Sequence, residues 1–97
     1  MTIEKAIEDR FVKYAASKNC MALKFSVPGR RYAPDRIVLC PGGYIFFIEF
    51  KRSGEKPTEG QKLYHKKLED LGFKVYVCDS FASATYCLDS WISIHEL

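Results

Sequence analysis

The chain has 97 residues, of which 47% are hydrophobic, 14% aromatic and 28% charged, with a net charge of +3 at neutral pH. That length carries one domain, residues 1–97, with one modest core, and the composition excludes a disordered chain. No apolar run approaches the roughly 18 residues of a membrane-spanning helix, and the mild basicity permits a nucleic-acid partner without requiring one.

Residues 2–18 predict an amphipathic helix, with Ile3, Ile7, Phe11, Tyr14 and Ala15 at helical spacing and Thr2 as N-cap. This charged, helix-patterned start does not read as a secretory signal. "MALKFSV" predicts a strand, "PGRRYAP" a loop, "DRIVLC" a second strand, "PGG" a turn and "YIFFIEFKR" a third strand. After the polar linker "SGEKP", Thr58 to about Leu71 predicts a second helix closed by Gly72. "FKVYVCDS" follows as a fourth strand, with its alternation at Phe73, Val75 and Val77. A short last helix from Phe81 to about Ile92 is expected to pack Tyr86, Leu88 and Trp91. The order is α-β-β-β-α-β-α, and the helical crossover between strands three and four requires them to be parallel. Cys20, Cys40, Cys78 and Cys87 form no C-x-x-C pair and read as buried thiols in a reducing cytoplasm.

Ionisable residues interrupt the otherwise apolar second and third strands. Alternation puts Ile45, Phe47, Glu49 and Lys51 on one face. A two-residue Gly42-Gly43 loop would set Asp35 against Phe50, whereas a three-residue Pro41-Gly42-Gly43 loop pairs Cys40 with Tyr44 and sets Asp35 opposite Glu49. The longer loop has the better turn chemistry, with Pro41 opening a type I turn and Gly43 supplying a left-handed residue. Opposed residues have Cβ atoms about 4.5–5.5 Å apart, so two facing carboxylates repel unless a cation lies between them. A hard divalent ion with oxygen ligands fits that gap.

Pro34-Asp35, a spacer of 13 residues and Glu49-Phe50-Lys51 together resemble the PD-(D/E)XK nuclease motif. With "PGRRYAPDRIVL", "PGG", "FIEFK" and "GQ", residues 3 to 90 are similar to the stand-alone VRR-NUC branch of that superfamily, and more loosely to archaeal-type Holliday-junction resolvases. The resemblance implies a restriction-endonuclease-like α-β-β-β-α-β core in a mixed α/β fold. It implies Mg²⁺ or Mn²⁺ on Asp35, Glu49 and the Phe50 carbonyl, with Lys51 orienting or activating water. It also implies an assisting acid on the first helix. Glu8 tilts toward the packed face, while Glu4 sits nearer the helix end; both can instead simply complement the helix N-terminus. Gln61 matches a glutamine near such sites, although Thr58-Glu59-Gly60-Gln61 is equally a capping box. His65, one turn on, either faces the same cleft or is an exposed helix residue.

Backbone contacts to DNA are expected from Arg30 and Arg31, in the loop leading to Asp35, with Arg36, Arg52 and Lys56 beside them. No helix-turn-helix or zinc finger is apparent, which favours recognition of DNA shape over sequence. The expected enzyme is a homodimeric endonuclease selective for branched DNA, with Phe25, Tyr32, Tyr44 and Trp91 as apolar surface residues for the dimer contact. The competing readings are a nuclease or nickase without junction preference and a catalytically silent nucleic-acid-binding module.

Overall fold

The computed structural model describes all 97 residues as a four-stranded mixed sheet with three helices. The elements are α1 (Ile3–Ser17), β1 (Met21–Lys24), β2 (Arg36–Leu39), β3 (Ile45–Phe50), α2 (Glu59–Asp70), β4 (Lys74–Cys78) and α3 (Phe81–Ile94). The strands lie in the order β1-β2-β3-β4. The first two pairings are antiparallel, and β3 and β4 are parallel across the α2 crossover, as the element order requires. No helix is long and apolar enough to cross a membrane.

Alternation divides the sheet into two unlike faces. Val38, Phe46, Ile48, Phe50 and Cys78 point to one side, where Phe11 and Ala15 of α1 and Ala84 and Leu88 of α3 complete the main core. Glu8 shares the α1 stripe of Phe11 and Ala15, at helical spacing, and is buried with them. The opposite side carries Phe47, Glu49 and Val75 and is covered by α2. Phe47 meets Phe25 and Phe73 there edge to face.

Helix boundaries follow from side-chain caps. Thr2 accepts from the Lys5 amide, Thr58 from Gln61 and Ser80 from Ser83. Several local expectations are corrected. The first strand ends at Lys24, and only an isolated Val27–Arg30 bridge follows it. In β4 the expected inward residue Val77 is 42% exposed, while Cys78, on the main-core side, is sealed as a buried thiol as expected. The last helix runs to Ile94, and Tyr86 on it is 74% exposed because its face turns away from Leu88 and Trp91.

The β2–β3 connection has the three-residue length. Pro41–Gly43 bridges the strands, and the Cys40 amide donates to the Tyr44 carbonyl at 2.8 Å. The turn type differs from the expected one. Gly42, at φ 81° and ψ 4°, takes the second central conformation of a type II turn, and Gly43 is also left-handed, at φ 82°. A Cβ on Gly43 would meet nothing within 4 Å, so Gly43→Ala isolates the backbone penalty. It is expected to lower stability by about 1–2 kcal/mol in urea titration with an unchanged m-value. Gly42→Ala is expected to cost more, because its Cβ would also crowd the Tyr44 ring at 3.2 Å.

Candidate active site

The hairpin register pairs Arg36 with Ile48 and Leu39 with Ile45. One step further along the same register, Asp35 stands opposite Glu49. Asp35 is fixed on both sides: its carbonyl accepts from Phe25 N–H at 3.0 Å, and its Oδ2 accepts from Phe50 N–H at 2.8 Å. Lys51 continues the ladder beyond β3 by donating its amide to the Cys78 carbonyl at 2.9 Å, which returns its side chain to the Glu49 face. Its Nζ lies 3.4 Å from Glu49 Oε2.

The second helix supplies the other support. Gln61 is both a helix cap and a partner of Glu49. Its Oε1 accepts from Thr58 N–H at 2.8 Å, closing the capping box, and its Nε2 donates to Glu49 Oε2 at 2.9 Å. The cap fixes the amide so that its remaining donors point at the carboxylate. His65, one turn on, is 7% exposed, which corrects the alternative of a solvent-exposed histidine. Its Nε2 lies 4.0 Å from Glu49 Oε1, and neither atom has a hydrogen-bond partner. Gln61 and His65 stand four residues apart, so the capped helix turns both toward one carboxylate; that spacing was the available signal for His65.

This burial has an electrostatic consequence. Removal from water, reinforced by the charge of Asp35, pushes Glu49 up to about 7, with Lys51 opposing the shift. Asp35 is also raised by burial, although the Phe50 amide holds it down in part. Burial also lowers His65, so its ring adds no positive charge beside Glu49 near pH 7 and Lys51 is the cation at that carboxylate.

The remaining expected residues separate into three groups. Glu8 is buried but engaged: Arg36 Nε donates to its Oε2 at 2.6 Å, and Arg36 Nη1 reaches the Ala22 carbonyl. Arg36 lies on the main-core face of β2 and is therefore not a free DNA contact, which corrects that expectation. Arg52 is exposed and paired with Glu4 at 3.2 Å. Arg30, Arg31 and Lys56 are exposed. Trp91 packs between Phe46 and His95 rather than forming an open surface.

No group of three His, Cys, Asp or Glu side chains is gathered in the chain, so a site closed by side chains alone, as structural zinc requires, does not fit. Two carboxylates and a main-chain carbonyl suit Mg²⁺ or Mn²⁺, which keep several waters. The orphaned, buried Glu49 Oε1 is the observation that agrees with this fit.

No family model matches the sequence. The fold is that of a VRR_NUC domain: a solved chain of that description aligns with a TM-score of 0.86 and 28% identity, over 92% of this chain and 97% of that one. The "Putative nuclease p44" of Acyrthosiphon pisum secondary endosymbiont phage 1 is 46% identical over 77 residues, spanning 79% of this chain and 83% of the phage protein. The chain belongs to the same family as this phage protein.

The raised Glu49 gives a pH test with a definite sign. Between the ordinary value of 4.5 and about 7, the folded state holds a proton that the unfolded state has released. This contribution to stability is therefore present at low pH and lost as pH rises through about 7. In chelator, Glu49→Gln is expected to raise Tm at pH 8 and to reduce the fall in Tm between pH 5 and pH 8 relative to wild type. A variant whose pH profile parallels the wild type would show that Glu49 ionises normally.

Proposed function

We propose that the protein is a Mg²⁺- or Mn²⁺-dependent endonuclease that hydrolyses phosphodiester bonds in DNA. Asp35, Glu49 and the Phe50 carbonyl would hold the cation. The observation that carries this reading is the buried Glu49 carboxylate: one oxygen is tied to Gln61 and Lys51, and the other has no partner in the fold. A buried carboxylate oxygen without a partner is costly, and a bound cation would remove that cost. When bound, the divalent ion supplies a lowered water pKa and charge neutralisation at the scissile phosphate.

The chain's own groups perform the rest. Gln61 holds the Glu49 carboxylate in one orientation, and neutral His65 shields it without adding a competing charge. Lys51 orients the attacking water or offsets the charge that builds on the phosphoryl oxygens. Glu8, held by Arg36, bears on the site through its negative charge, which adds to the upward shift of Glu49 and Asp35. Water adds to phosphorus and releases a proton to solvent, the bond from phosphorus to the 3′ oxygen breaks, and the departing oxygen takes a proton from solvent. The products are a 5′-phosphate and a 3′-hydroxyl. Arg30, Arg31, Arg52 and Lys56 contact the backbone and position the DNA without reading sequence.

The preferred substrate in this reading is branched DNA such as a four-way junction, cut by a homodimer whose two sites face a common DNA surface. Its support is the similarity to junction resolvases, the lack of a helix-turn-helix or zinc finger, and exposed apolar residues such as Met21 and Tyr44 that a second copy can cover.

Asp35→Asn and Glu49→Gln are each expected to abolish cleavage, to lose Mn²⁺ binding by isothermal titration, and to retain the fold by circular dichroism. Full metal affinity in both would refute the assignment. Four-way-junction, flap, nicked and linear substrates compared in Mg²⁺, Mn²⁺ and chelator, with sedimentation at micromolar protein, test the finer reading. A monomer that cuts all four substrates equally would leave a metal-dependent nuclease without junction preference.

A further inference from the structure

Helix α2 carries a second stripe beside the one that meets Glu49. Gly60, Leu63, Tyr64 and Lys67 follow one another at helical spacing and line a groove with Arg30, Arg31 and Tyr32 from the loop before Asp35. A cavity of about 180 Å³ lies at its Tyr32 end. One of about 210 Å³ continues past Arg30, Tyr64 and Lys67 to Leu71. None of the surface cavities is lined by Asp35, Glu49 or Lys51, so this groove lies beside the carboxylates rather than over them.

Two features distinguish the groove from an ordinary solvated surface. The first is charge: Arg30, Arg31 and Lys67 share the lining of one groove, none of them in an ion pair and with no acidic residue among the lining. Three cations converge with no carboxylate to neutralise them. The second is a seated aromatic. The Tyr32 ring rests against the α2 backbone at Gly60, where an added Cβ would lie 2.6 Å from ring atoms. Tyr32 as a residue is nonetheless 41% exposed, and the Arg31 guanidinium stands 6.0 Å from its ring centroid. Glycine in the first turn of a helix costs stability relative to alanine, and here its missing side chain makes room for the ring.

We propose that this groove is a subsite for a single-stranded nucleic-acid segment leaving the cut site. The exposed side of Tyr32 stacks an unpaired base, and Arg30, Arg31 and Lys67 take the phosphates that follow. A base has a π-face whatever its sequence, so an aromatic platform within a basic groove holds single strands without reading them. From Gln61, which touches Glu49, to Lys67 the helix rises about 9 Å, which spans more than one nucleotide step beyond the carboxylates. The inference rests on the nuclease reading for its biological meaning, but the groove's ligand is testable without cleavage.

The test is fluorescence anisotropy in chelator, comparing a blunt DNA duplex with the same duplex bearing a single-stranded tail of about six nucleotides. Wild type is expected to bind the tailed duplex more tightly. Tyr32→Ala should weaken tailed binding by about 5- to 150-fold and close the gap to the blunt duplex, while Tyr32→Phe keeps it. Gly60→Ala fills the seat of the ring without removing it. It should reproduce the Tyr32→Ala result with no loss of thermal stability. Lys67→Ala should reduce the slope of log affinity against log salt by about 1. Equal wild-type affinity for the two duplexes, or a preference that survives both Tyr32→Ala and Gly60→Ala, overturns the proposal. If the preference behaves as stated but wild type cuts no DNA in Mg²⁺ or Mn²⁺, the nuclease reading fails and the subsite stands.

Discussion

The structure around the candidate site depends on a carboxylate kept out of water. Glu49 sits on an inner strand of the sheet, 4% exposed, beneath a helix and opposite a second acid. A protein that only needed a stable sheet would gain by placing an apolar residue there. The surrounding groups manage the charge without cancelling it. Gln61 and Lys51 engage one oxygen, and His65 approaches the other as a neutral ring. Asp35, which raises the Glu49 pKa, is itself held by the Phe50 amide, so neither acid can swing away to relieve the repulsion.

The other side of the sheet shows the opposite treatment of buried charge. Arg36 and Glu8 meet at 2.6 Å and neutralise each other beside the main core. The two sides thus place one satisfied pair and one unsatisfied pair a residue apart in sequence, at Arg36 and Asp35. Alternation along β2 is what separates them, sending one side chain toward α1 and the other toward Glu49.

Much of this arrangement was legible in the sequence because it follows from counting. Loop length and strand alternation fixed the Asp35–Glu49 pairing, even though the turn type was read wrongly, because register depends on the number of loop residues and not on their dihedrals. The capping box was equally visible. The remainder depended on tertiary packing. His65 lies on a helix rich in polar residues and looks exposed until the sheet is placed beneath it. Arg36 looks like a DNA contact until α1 brings Glu8 across. Val77 is more open than its place in the alternation suggested because the heavier layer, α1 with α3, lies on the Cys78 side. Periodicity reveals that two faces exist and not which of them receives two helices.

The dual engagement of Gln61 bears on which side chains position 61 can accept. A helix start of this kind is closed as well by glutamate as by glutamine, since each offers an oxygen to the N-cap amide. The helix alone is therefore indifferent between them. The other end of the side chain is not: a glutamate there would turn a third negative charge toward Glu49 and remove the donor that now holds it. A choice that is degenerate for folding becomes unique once the helix cap is also a wall of the site, and a single atom, the amide nitrogen, carries the difference.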